Sequence, residues 1–204
     1  MDQPEILIAY GSRYGCTEEI STKIADFLQK KEQLPIRVLN LRTTPKESWP
    51  TLDDYQGLLL GTGIRVGKWT KEAESFLSRI KSSFFTEKGV IGIFVTCGYA
   101  ADAVHYPIAI RIFLEKKFND LAIQPDIYEA FGGIFDFSAS SRIPLIDKQI
   151  LKWGSRDLHL KIDYAKYNDY RNWGRIYDFS RSFAELARKN IAKPNQKHSS
   201  VPSN

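Results

Sequence analysis

The chain has 204 residues, of which 43% are hydrophobic and 13% aromatic, enough for one domain with a buried core and too short for two comfortable ones. No apolar run approaches the roughly 20 residues a membrane span needs, and Cys16 and Cys97 lack the spacing of a zinc site or a disulfide framework. Net charge is +5, and it is unevenly spread: residues 1–136 carry 16 basic and 18 acidic side chains, whereas 137–204 carry 13 and 6.

The start, "MDQPEILIAY", runs into a strand with no basic region or small-residue cleavage site, so the expected compartment is the cytoplasm. Glu5 to Tyr10 is a short apolar run of the buried-strand kind. A helical pattern follows from Thr17 to about Lys30, with Ile20, Ile24, Phe27 and Leu28 on one face. "PIRVLNL" supplies a second strand and Tyr55 to Gly61 a third. A helix from Thr70 to about Ser82 carries Ala73, Phe76, Leu77 and Ile80. Gly89 to Thr96 reads as the fourth strand, Tyr106 to about Leu121 as a helix with Ile110, Phe113, Leu114 and Phe118 inward, and Ile127 to Phe135 as the fifth strand. A last helix, from about Tyr170 to Lys189, is expected to bury Trp173, Ile176, Tyr177, Phe183 and Ala187. Alternating strands and helices imply a doubly wound, five-stranded parallel sheet in a three-layer α/β/α sandwich. The expected domain is 1–189 with a basic insertion around 137–168, and 190–204, rich in Pro, Ser, Asn and Lys, reads as a disordered tail.

Ligands of such sheets bind outside the carboxyl ends of the strands. After the first strand stands "YGSRYGCT". Gly11 and Gly15 permit a tight turn, Ser12 and Thr17 offer hydroxyls, and the next helix presents unpaired N–H groups, which together read as a phosphate cradle. The plainer reading is a helix cap after a turn. The spacing fits neither GxGxxG nor the nucleotide-hydrolysing P-loop, and no lysine stands where the latter needs one.

The third-strand loop, "GTGIRVGKWT", and the fourth, "TCGYAADAVHY", are glycine-rich and aromatic. With S-x-x-G-x-T after the first strand they resemble the flavodoxin superfamily, over roughly Ile6 to Lys189. The resemblance implies an FMN cofactor: Ser12, Arg13, Tyr14, Gly15, Cys16 and Thr17 would wrap its phosphate. Thr62, Gly63, Ile64, Arg65, Val66, Gly67 and Lys68, with Cys97, Gly98, Tyr99, Ala100, Ala101 and Asp102, would flank its ring. Within the superfamily, "GTGIRVGKWTKEAESFLSRI" and "GGIFDFSASSRIPLIDKQILKW" look most like the quinone-dependent, flavodoxin-type protoporphyrinogen IX dehydrogenases of heme biosynthesis. That likeness implies a porphyrinogen-like substrate and a quinone acceptor. Members of that family tend to carry an aromatic just after the loop arginine; Val66 stands here, leaving Trp69 or Tyr99 as substitutes for stacking.

Charge gives an independent view. Ordinary flavodoxins are acidic around the ring, whereas this chain has Arg65 and Lys68 there. A cation about 5 Å from a reduced ring contributes on the order of 3 kcal/mol at an effective dielectric near 20, before screening. With about 1.4 kcal/mol per 30 mV for a two-electron couple, the potential should rise by tens of millivolts. Lys68 reads as a solvated rim charge; Arg65 is the electrostatic candidate, expected to meet a ligand carboxylate or phosphate.

His105 reads as a satisfied residue at a helix start, Cys97 as inert, and Asp102 and Asp136 as carboxylates without visible partners. No His or Cys cluster suggests metal ligation, and no motif suggests nucleic acid. In 142–162, Ile143, Ile146, Ile150 and Trp153 fall on one helical face and Lys148 and Lys152 on the other. The preferred reading is a core-packing helix. The alternative is a basic amphipathic element resting on the inner face of an anionic membrane, where a lipid quinone is reached. The other function class is a flavodoxin-like electron carrier that docks with redox proteins. Oligomeric state is left open.

Overall fold

The computed structural model describes residues 5–53, 55–80 and 89–191. Five parallel strands, β1 (Glu5–Gly11), β2 (Ile36–Asn40), β3 (Tyr55–Gly63), β4 (Val90–Thr96) and β5 (Ile127–Phe131), form one sheet in the order β2-β1-β3-β4-β5. β1 is flanked by β2 and β3, whose connections leave it toward opposite sides, so the switch point of this doubly wound sheet lies between β1 and β3.

Alternation along the strands divides the core into two layers. Leu7, Ala9, Leu58, Leu60, Ile91, Ile93 and Val95 face α2 (Lys71–Leu77) and the helix that begins at Tyr106, through Ala73, Phe76, Leu77, Phe113, Leu114 and Phe118. Ile6, Ile8, Leu59 and Phe94 face α1 (Cys16–Lys30) and the last helix, α6 (Trp173–Ile191). In α6 the buried set is Ile176, Phe179, Phe183, Ala184 and Ala187. Trp173 and Tyr177, expected inside, are only partly covered. The helix also runs on to Ile191, past the expected start of the tail; residues 192–204 lie outside the described set, as do 81 and 82 at the expected end of the Thr70 helix.

Two elements depart from expectation. The Tyr106 helix is not uniform: α3 (Tyr106–Ile110) passes through a π-helical turn (Arg111–Glu115) into α4 (Lys116–Leu121). Inside that turn the Phe113 carbonyl accepts the Trp69 indole N–H at 2.7 Å, a side-chain bond inserted into the helical ladder. The fifth strand ends at Phe131 rather than Phe135. A Cβ on Gly132 would lie 2.3 Å from the Tyr170 carbonyl oxygen, and Tyr170 N–H donates to the Gly133 carbonyl at 3.1 Å, so the chain is captured there by a later segment. Beyond this corner β6 (Ile134–Asp136) leaves the sheet and pairs antiparallel with β7 (Tyr167–Asp169). Between β6 and β7 lies α5 (Leu145–Gly154).

α5 overturns the core-packing reading. Its buried residue is Asp147, whereas Leu145 (80% exposed), Ile146 (74%), Ile150 and Trp153 (70%) face outward. The apolar stripe read from the spacing is real, but it points away from the sheet because the polar side carries the attachment.

Candidate functional site at the β1, β3 and β4 loops

The turn after β1 is built around Gly15. It sits at the N-cap of α1 with φ +90°, a left-handed conformation that an L side chain adopts at a cost of about 1–2 kcal/mol. Its N–H donates to Ser12 Oγ at 3.1 Å. Arg42, beyond β2, clamps the same turn from outside by donating to the carbonyls of Ser12 (3.4 Å) and Arg13 (3.1 Å). The first-turn N–H groups of α1 have no intrahelical acceptor, so the loop offers donors at the positive end of a helix, while Arg13 is exposed. Thr17 differs from expectation. It is buried and its hydroxyl pairs with Thr96 Oγ1 at 2.7 Å, fastening α1 to the end of β4 rather than facing the loop mouth. Burial pushes the Cys16 thiol up to about 11 and the Cys97 thiol to about 12, so neither is a thiolate at neutral pH.

After β3, Arg65 and Lys68 exchange both backbone hydrogen bonds, 3.0 and 3.1 Å, across the central pair Val66 (φ +50°) and Gly67 (φ +72°). Positive φ at both central residues is what a type I′ turn demands. Gly67 meets it freely. Val66, β-branched and 64% exposed, does not. Val66→Gly should therefore stabilise the chain by about 1 kcal/mol, the left-handed penalty less the added entropy of glycine, measurable by denaturant unfolding. An unchanged or lower stability would mean that the turn carries no strain. Lys68 is an exposed rim charge. Thr62 is turned inward, its Oγ1 accepting Thr70 N–H at 3.1 Å, and Gly63 and Ile64 continue the β3 edge against Thr96, whose carbonyl accepts Ile64 N–H at 2.9 Å. Trp69 is buried with its indole N–H spent on Phe113, so it does not replace the aromatic absent at Val66.

The two loops are joined by a residue from α5. Arg65 Nε donates to Asp147 Oδ1 at 3.0 Å, its second guanidinium nitrogen donates to the same oxygen, and Tyr14 Oη donates to Asp147 Oδ2. These donors, Tyr14 first and Arg65 next, hold the Asp147 carboxyl below the usual carboxylate range. Burial, and then the same contact, raise the Tyr14 phenol. Arg65 thus meets a carboxylate, as its loop position suggested, but the carboxylate is the chain's own. Asp147 is the one acid in α5, standing beside Lys148, and that signal was available in the sequence.

The β4 loop closes the other side. Cys97 N–H donates to the Phe131 carbonyl at 3.0 Å, Gly98 leads into a 3-10 turn (Tyr99–Ala101), and Tyr99 lies 5.1 Å from the His105 ring. Asp102 is 3% exposed and has partners that sequence spacing hid. Its Oδ2 receives His159 N–H at 2.8 Å and lies 2.7 Å from His105 Nδ1 and 3.0 Å from His159 Nδ1; its Oδ1 receives Val104 N–H at 3.0 Å. These donors, led by the His159 backbone, hold its carboxyl well below the usual range. Asp136 is also partnered, by Ser138 Oγ at 2.6 Å. A cavity of about 390 Å³ beside this loop is lined by Ala100, Ala101, Tyr106, Gly132, Tyr170 and Arg175, with the Arg175 guanidinium 3.9 Å from the Tyr106 ring centroid. It lies toward β5, while the β1 and β3 loops are bridged by Asp147.

A family model described as a flavodoxin domain matches residues 7–153. No curated protein matches by sequence. Solved structures share the fold at low identity. Rubredoxin:oxygen oxidoreductase from Desulfovibrio gigas superposes with TM-score 0.55 at 11% identity over 94% of this chain, which spans only 38% of that one. An apo NADH:FMN oxidoreductase gives TM-score 0.55 at 12% identity over 96% and 95% of the two chains. Oxidised flavodoxin 2 from Bacillus cereus gives TM-score 0.52 at 19% identity over 89% and 99%.

Proposed function

From the premise that this chain belongs to the flavodoxin domain family, we propose that it is an FMN-dependent oxidoreductase that takes hydrogen from a porphyrinogen-like substrate, protoporphyrinogen IX by sequence resemblance, and passes electrons to a quinone. The β1 loop fits the FMN phosphate: Gly15 supplies the left-handed turn, space for a ligand lies over its α-carbon, and the first turn of α1 supplies N–H donors. Ser12 and Arg13 would hold the same group, with Tyr14 and Cys16 completing the loop. Thr17 would act through Thr96, as a positioning residue. Thr62 to Lys68 and Cys97 to Asp102 would border the ring, with Tyr99 the aromatic nearest to hand.

FMN, when bound, supplies an acceptor for two electrons and a proton. The protein's own part is electrostatic. Paired with Asp147, Arg65 is half of a neutral pair, so the rise in potential expected of a bare cation applies only when that contact opens. Lys68 stays on the rim.

The observation that carries the reading is the outward apolar face of α5, set beside exposed Lys152 and Arg156. An apolar stripe flanked by cations suits an anionic bilayer, the place where a lipid quinone is met. Each such cation contributes about 1 kcal/mol of attraction to anionic lipid, fading with salt. Lys152→Glu with Arg156→Glu should abolish flotation with anionic vesicles and keep FMN affinity, and Trp153→Asp should weaken flotation at all salt concentrations with little loss of stability. Equal flotation of parent and double variant would remove the membrane from the account.

The second reading is an electron carrier that docks with redox proteins; the basic balance of 137–204, 13 basic against 6 acidic side chains, weighs against it, since carriers of this kind dock through acidic faces. FMN-loaded protein assayed with protoporphyrinogen IX, with and without a quinone, separates the two. Quinone-dependent porphyrin formation supports the enzyme; electron transfer to a redox protein with the porphyrinogen left intact supports the carrier. Among the described residues no helix is long and apolar enough to cross a membrane.

A further inference from the structure

We infer that Asp102, His105 and His159 form a binding site for a divalent transition ion that fastens the segment between α5 and β7 to the β4 loop. Their ligand atoms all lie within 4.8 Å of one another, and the set combines one carboxylate oxygen with two imidazole nitrogens, the donors that zinc and its neighbours in the first transition row prefer.

Three features go beyond a satisfied hydrogen-bond cluster. Asp102 already accepts two backbone N–H groups, from Val104 and His159, yet two imidazoles also turn the same atom, Nδ1, toward its Oδ2. The two rings are held near parallel, with centroids 5.8 Å apart and planes at 29°, so the imidazoles stand side by side over the same carboxylate. Finally, two of the chain's three histidines meet here from positions far apart in sequence, one at the start of α3 and one between α5 and β7.

Ligand bonds of about 2.1 Å to the oxygen and to each nitrogen would make angles of about 80° and 90° at the ion, given the 2.7 and 3.0 Å separations. Such angles would set each nitrogen adjacent to Asp102 Oδ2 on a five- or six-coordinate ion, with other positions open to water, rather than at the wider angles of a closed tetrahedron. Binding through Nδ1 requires each imidazole as its neutral Nε2–H tautomer, so the ion takes the Nδ1 lone pair and the ring proton resides on Nε2. Entry is open, because the His159 side chain is 67% exposed whereas that of Asp102 is 3%. The consequence is mechanical. His159 belongs to the same segment as α5, so an ion here and the Asp147 contact would pin that segment at both the β4 loop and the β1 and β3 loops.

Asp102 also ends the loop proposed to border the flavin ring, but the test of the ion uses the apo protein and needs neither FMN nor activity. Full-length protein stripped with a chelator is equilibrated with equimolar zinc or cobalt chloride, desalted, and analysed for retained metal, with affinity measured by competition against a chromogenic chelator. One ion per chain, a cobalt absorption spectrum, and a zinc-dependent rise in the thermal midpoint are expected. His159→Gln, a change at an exposed side chain, should lower affinity by at least roughly tenfold and abolish the rise, and His105→Gln should do the same, while His198→Gln leaves both unchanged. No retained ion, or equal affinity in parent and His159→Gln, would overturn the proposal.

Discussion

Gly15→Val is expected to weaken FMN binding about 100-fold while leaving the sheet folded. The φ of +90° is one that valine adopts only under strain, so the loop either keeps its shape at a cost or moves, breaking the 3.1 Å bond from Gly15 N–H to Ser12 Oγ. Either outcome disturbs the N–H donors proposed to hold the dianionic FMN phosphate. Hydrogen bonds to charged groups contribute about 1.5–3 kcal/mol each, so losing two is worth at least about 3 kcal/mol, which is 100-fold. A Cβ at this position meets no atom within 4 Å, which is why the apo fold should survive. Titration of FMN against parent and variant, with circular dichroism as the folding control, reads the difference. Parent-like affinity in a folded variant would place the phosphate elsewhere.

Asp147→Asn should release α5 from the site. The carboxylate takes hydrogen bonds from Tyr14 and Arg65, one from each loop of the switch point, so its charge is what holds the two loops and the helix together. The amide keeps the shape and loses the charge, leaving Arg65 without its ion-pair partner. Hydrogen exchange across 145–154 should quicken by an order of magnitude or more, and FMN should associate faster with the variant. The pH dependence has a defined sign. Tyr14 and Arg65 depress the Asp147 pKa in the folded chain, so the contact contributes stability that is present above the ordinary aspartate value near 3.9 and is lost as pH falls below it, through the lower folded value. The asparagine variant at neutral pH should therefore exchange as the parent does only in acid. Identical exchange in both at neutral pH would show that the contact does not hold the helix.

Strands β1 to β4 and the layers around them were legible because buried parallel strands are continuous apolar runs and their helices repeat at helical spacing. β5 was overread by four residues: Ile134 and Phe135 look like more strand, and what ends it is the Tyr170 carbonyl packed on Gly132, a contact 38 positions away. Similar distance in sequence hid the site's partners. Local pattern gives Thr17 a hydroxyl offered to the loop, but it bonds Thr96, 79 residues away; Thr62, set beside the ring by the resemblance, bonds Thr70 within its own loop. Trp69 stands close enough in sequence to Val66 to replace the missing aromatic, but its indole is taken by the π-helical turn. In α5 the spacing correctly grouped Ile146, Ile150 and Trp153 yet could not say which way that face points; Asp147 decides it, by anchoring the opposite side to Arg65 and Tyr14. The His159 partner of Asp102 lies 57 residues away, beyond any local pattern, whereas the Ser138 partner of Asp136 is two residues along and was open to a local reading.

The central claim, that the β1 loop of this chain holds FMN, is tested most directly by adding FMN to the apo protein and following its visible spectrum and fluorescence. One FMN per chain, with a shifted spectrum and altered emission in the parent and free-FMN behaviour in Gly15→Val, is the predicted result. A parent protein that leaves the spectrum and fluorescence of FMN unchanged at saturating concentration would contradict it.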